Sequence, residues 1–90
     1  MSDQQPPKIE FPCADYPIKV IGHNRDDFRG FVIETVQFHA PDLDIDQVSI
    51  QGSREGNFLS VRFCITATSA EQLKRLHEDL MASGRVKMVI

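Results

Sequence analysis

Between Phe58 and Ala67 apolar and polar side chains alternate without a break. Leu59, Val61, Phe63, Ile65 and Ala67 point one way; Phe58, Ser60, Arg62, Cys64 and Thr66 point the other. A sustained period of two predicts a strand with one buried face. Weaker versions of the pattern surround it. Tyr16 to Gly22 reads as a first strand, with Ile18 and Val20 on one face and Lys19 and Ile21 on the other. Val48 and Ile50 alternate with Gln47, Ser49 and Gln51 in a half-buried strand. Arg85 to Ile90 is a short last strand with Val86, Met88 and Ile90 expected on one face.

Two stretches have helical spacing instead. Phe28, Val32, Thr35, Val36 and His39 recur on one face, with Phe31 beside them. Asn24 is the expected cap, with Asp26 and Asp27 in the first turn. Ala40-Pro41 ends the helix, because proline disfavours helical geometry in the residue before it. Leu73, Leu76, His77 and Leu80 form a second stripe that Ser83-Gly84 terminates. Thr68 with Glu71 and Ser69 with Gln72 both fit a capping box, so the start is open by one residue. Gly56 is expected to turn the Ser53–Asn57 connection with a positive φ. Residues 1–10 are polar and proline-bearing, and are expected to form a disordered tail ahead of one domain over 11–90.

The order is strand-helix-strand-strand-helix-strand. One apolar stripe per helix and one apolar face per strand place both helices on the same face of a four-stranded antiparallel sheet. Right-handed crossovers then give an α+β ferredoxin-like sandwich, with the first and third strands in the centre. The other sheet face is expected to carry Lys19, Arg62, Arg85 and Lys87 among neutral polar residues, with no acid.

Composition narrows the function. Ninety residues support one core. The net charge of −3 argues against a duplex-DNA binder, which carries a basic excess. No apolar run approaches a membrane span, and the first residues lack the basic start and apolar core of a signal peptide. Cys13 and Cys64 are therefore expected to be reduced thiols in a cytoplasmic protein, in preference to a bridge.

Several details together resemble the YbeD-like family of small bacterial proteins. They are Tyr16-Pro17-Ile18-Lys19-Val20-Ile21-Gly22, the helix ending in His39-Ala40-Pro41, the Gly56-Asn57 hairpin, the Thr66-Ala67-Thr68 exit and the final Val86-Lys87-Met88-Val89-Ile90. The resemblance covers residues 10–90. It implies a ferredoxin-like, ACT-like fold, a bacterial cytosolic setting and no established activity. ACT domains bind amino acids near the loop after the first strand, often at a dimer interface. The matching loop here is Gly22, His23, Asn24 and Arg25.

Chemical constellations do not form. Asp42-Leu43-Asp44-Ile45-Asp46 starts like a calcium loop, but Gln47 stands where the turn needs glycine and Ser53 where the metal needs glutamate. His23, His39 and His77 are too dispersed for a metal site, and the two on helices read as rim residues. Cys64 has no predicted base on its face. No phosphate loop or nucleophile elbow is present. No catalytic, metal or cofactor-binding residue is therefore expected, and no cofactor.

The function that this leaves is a non-enzymatic, ACT-like regulatory or binding module. Its partner is a protein or a small metabolite, met through the basic sheet face or residues 22–25. The alternative is single-stranded nucleic acid on the same face, disfavoured because Phe58 alone offers a base a ring there. Like-charged faces would repel if stacked, which favours a monomer or weak homodimer.

Overall fold

A computed structural model describes residues 11–90; the expected tail over residues 1–10 lies outside them. The chain runs β1 (Cys13–His23), α1 (Phe28–His39), a short 3-10 turn (Ile45–Gln47), β2 (Ser49–Gly52), β3 (Phe58–Ala67), α2 (Ala70–Ala82) and β4 (Val86–Val89). The strands form one antiparallel sheet in the order β2-β3-β1-β4. This is the ferredoxin-like arrangement the patterning implied, with β1 and β3 central.

The alternation in β3 works as read. Val61, Phe63, Ile65 and Ala67 are buried, while Arg62 and Cys64 between them are exposed. Ile18 and Val20 join the core from β1, Phe28, Val32, Ile33 and Val36 from α1, and Leu76 and Leu80 from α2. Each large aliphatic or aromatic side chain so buried contributes roughly 1.5–3 kcal/mol. Both helices cover this one face and leave the other open.

Local signals fix the helix ends, though not always the expected ones. Ser69 caps α2: its Oγ accepts from the Gln72 N–H at 3.0 Å, and Gln72 Oε1 accepts from the Thr68 N–H at 2.8 Å. Asn24 does not cap α1. Its Nδ2 donates to the Gly56 carbonyl at 2.7 Å and its backbone N–H donates to the Asn57 carbonyl at 3.0 Å, which ties the β1–α1 loop to the β2–β3 hairpin. Gly56 turns that hairpin at φ 79°. Asp27 holds the cap position of α1, and Asp26 and Asp27 precede the first turn.

The C-terminal end of α1 is joined to α2. Gln72 Nε2 donates to the His39 carbonyl at 2.8 Å, and His39 Nε2 lies 2.6 Å from Asp79 Oδ2. His39 thus sits at the core rim, whereas His77 is exposed.

β4 departs from the sequence reading. Val20 pairs with Val89 and Ile21 with Met88, but Gly22 pairs with Val86, so one extra residue, Lys87, interrupts the register. A bulge of this kind reverses the inside-outside parity of the residues beyond it. Val86 and Val89 both turn towards the helices, while Met88 and Ile90 are 48% and 66% exposed.

Candidate docking face

The open face is built from cross-strand rows on the two central strands and their neighbours. One row runs Ser49, Arg62, Lys19. Lys19 exchanges both its backbone hydrogen bonds with Ile90 on β4's side, at 3.1 and 2.9 Å. Towards β3 it is therefore in a non-hydrogen-bonded pair with Arg62, the geometry that brings side chains closest. The next row runs Gln51, Ser60, Ile21, Met88. Beyond it His23 faces Phe58, their ring centroids 5.6 Å apart and tilted by 34°. Lys87 Nζ lies 5.1 Å from the Phe58 ring centroid, within cation–π range.

Lys19, Arg62 and Lys87 therefore share a face with apolar positions. Pro17, Lys19, Gln47, Ser49, Arg62 and Ile90 line a shallow groove of about 530 Å³ on it. Among the described residues the ion pairs are Arg75–Glu71 and Arg85–Asp27, with His39 hydrogen-bonded to Asp79, and none of these involves the three cations. Among the described residues no Asp or Glu side chain stands in their rows. Three acids, Asp15, Asp42 and Asp44, line a hollow at one end of the sheet beside Cys64 and Thr66. Asp44 Oδ1 accepts from the Asp46 N–H at 3.0 Å, so it caps the 3-10 turn.

Arg85 is not brought to this face. It precedes β4, and its backbone N–H is held by Ser83 Oγ at 3.0 Å. Its guanidinium donates to Asp27 Oδ1 at 2.9 Å and lies 5.3 Å from the centroid of Phe31 on α1. The hydrogen bond from Arg85 holds the Asp27 carboxyl below its ordinary value of 3.8; desolvation opposes it, and the charge of Arg85 adds to the lowering.

Residues 22–25 do not act as one open loop. Gly22 is buried in β1, and a Cβ there would run into the Phe28 ring and the Arg85 carbonyl. His23 ends the strand on the open face. Asn24 is committed to the hairpin. Arg25 remains exposed and, with His23, Asp27, Ser83, Gly84 and Arg85, lines a separate hollow of about 410 Å³.

Cys13 and Cys64 are free thiols. Their partners in register are Ala67 and Pro17, so they do not face each other. Among the described residues no three His, Cys, Asp or Glu side chains gather in a way that could hold a metal ion. No helix there is long and apolar enough to cross a membrane.

His23, Met88 and Ile90 are residues of this face that sequence reasoning missed. His23 was hidden because β1 outruns its apolar alternation by one residue. Met88 and Ile90 were hidden by the bulge at Lys87, which only the pairing with β1 reveals.

A sheet covered on one side by two helices and bare on the other defines a ferredoxin-like, ACT-like domain. The chain matches the solution structure of protein HP0495 from H. pylori with a TM-score of 0.75, covering 100% of this chain and 93% of that one at 16% identity. It matches the ACT domain from GTP pyrophosphokinase of Chlorobium tepidum with a TM-score of 0.60, over 84% and 96% of the two chains at 14% identity. At these identities the likeness is one of fold. Sequence places the chain more narrowly. It is 61% identical over 89 residues to a UPF0250 protein of Ectopseudomonas mendocina, covering 99% of this chain and 97% of that one. It is 55% identical over 89 residues to a UPF0250 protein of Azotobacter vinelandii, with the same coverage. Residues 6–90 match the family described as "Protein of unknown function (DUF493)". The chain belongs to this DUF493 family of small bacterial proteins, the group resembled by its YbeD-like motifs.

Proposed function

We propose that this protein is a non-enzymatic binding module that receives a protein partner on its open sheet face. The observation that carries this reading is the Lys19–Arg62 pair. Like charges directly opposite on adjacent strands are unfavourable, and among the described residues no Asp or Glu side chain in their row relieves them. An arrangement that costs stability and lies beside exposed apolar side chains is explained if a partner completes it.

The test is site-specific photo-cross-linking in living cells of the source bacterium. A cross-linking residue at Gln51, exposed in the open-face row of Ser60, is compared with one at Glu78 on α2. The proposal expects a discrete adduct from Gln51 and none from Glu78. Adducts from Glu78 alone would refute it.

A second reading comes from the hollow beside Arg25. Arg25 takes part in none of the ion pairs named above, and an anionic small metabolite would offer it one. Amino acids and small carboxylates titrated against labelled protein should then shift the amides of His23, Arg25 and Gly84. Unmoved amides there would dismiss this reading and leave the sheet face unaffected.

A further inference from the structure

We propose that the segment received by the open face is an acidic peptide with interleaved apolar side chains. This rests on the docking reading and supplies the chemistry of the partner. Cations and apolar groups alternate from row to row along the strand direction. Lys19 and Arg62 form one row, Ile21 and Met88 the next, and Lys87 stands beyond beside Phe58. Successive rows on one face are about 7 Å apart, the spacing between alternate residues of an extended peptide. Such a peptide can therefore set a carboxylate against Lys19 and Arg62 and an apolar side chain against Ile21 and Met88.

Charge selects this occupant over others. A basic segment would add to the repulsion already present. A neutral apolar segment would strip water from the cations without replacing it, which is costly. A carboxylate restores their hydrogen bonds, and can do so to Arg62 through two parallel bonds. The acids at Asp15, Asp42 and Asp44 close the Thr66 end to an acidic ligand. The peptide should accordingly lie over the rows from Lys19 to His23 and stop short of Thr66. Phosphate could satisfy the cations too. However, the two rings available to bases are tilted and one already has Lys87 over it, and the chain is net negative. The observations favour the peptide.

The experiment titrates isotope-labelled protein with synthetic peptides of alternating Glu-Leu, Gln-Leu or Lys-Leu, and with oligouridylate. The Glu-Leu peptide is expected to shift the amides of Lys19, Ile21, Ser60, Arg62 and Met88 and to spare Thr66 and α2. Its affinity should fall at least about tenfold in Lys19→Gln and in Arg62→Gln, and again as salt is raised from about 0.05 to about 0.5 M. Equal binding of the Gln-Leu peptide at the same amides would overturn the acidic assignment while the docking reading stands. Tighter binding of oligouridylate at those amides would overturn it in favour of nucleic acid. Absence of binding by every probe would overturn it outright, and the Gln51 cross-link would then report separately on whether the face docks anything.

Discussion

Lys19 and Arg62 face each other across the two central strands as a non-hydrogen-bonded pair, and among the described residues no Asp or Glu side chain shares their row. Exchanging one charge should turn a repulsive pair into an attractive one. Lys19→Glu is expected to raise stability by about 0.5–1 kcal/mol, with Lys19→Gln in between. Urea unfolding measures it through the midpoint, at unchanged slope. The same variant should lose its partner. A gain in stability joined to a loss of binding is the mark of a residue kept for function; a destabilised Lys19→Glu would remove that argument.

Gly22 is kept for packing. Its missing side chain lets the Phe28 ring and the Arg85 backbone close over β1. Gly22→Ala should cost roughly 1–3 kcal/mol by overpacking. Thermal unfolding with a melting temperature unchanged from the parent would contradict this assignment.

The Asn24 amide is the side-chain tie between the β1–α1 loop and the hairpin. Asn24→Ala is expected to lower stability by about 0.5–1.5 kcal/mol. It should also speed exchange of the backbone amide at position 24, whose N–H donates to the Asn57 carbonyl in the parent. Exchange that stays as slow as in the parent would place the loop's restraint elsewhere.

Asp27 should titrate below the ordinary carboxylate range, because Arg85 hydrogen-bonds it. A depressed folded-state value means that the stabilisation is complete above the unfolded-state value and is lost as pH falls through the folded one. The effect is thus confined to acid, below about pH 4. Carboxyl-carbon NMR should find the Asp27 midpoint depressed, and Arg85→Gln should return it towards 3.8. The same midpoint in both proteins would show that the pair does not form in solution.

Much of the fold could be read from periodicity because β3, α1 and α2 each bury one continuous face. The alternation from Phe58 to Ala67, the α1 stripe through Phe28, Val32 and Val36, and Leu76 and Leu80 on α2 all do in space what their spacing implies. β4 could not be read this way. A period of two carries no mark of an extra residue, so the bulge at Lys87 exchanged Met88 and Ile90 for Val89 on the buried side. Arg85 was placed on the open face by the same extrapolation, and it is Asp27 and Phe31, distant in sequence, that draw it to α1. Glycine and asparagine punctuate element ends, so local pattern makes Gly22 the end of the first strand and Asn24 the cap of α1. The long-range contacts to Phe28 and Gly56 that set their roles are invisible to local pattern.

The most direct measurement is the Gln51 cross-link made in parallel in the parent and in Lys19→Glu, with both proteins confirmed as folded. The account predicts one discrete protein adduct from Gln51 in the parent and its loss in Lys19→Glu. An adduct that persists undiminished in Lys19→Glu, or that forms from Glu78 instead, would contradict the claim that the open sheet face is where this protein meets its partner.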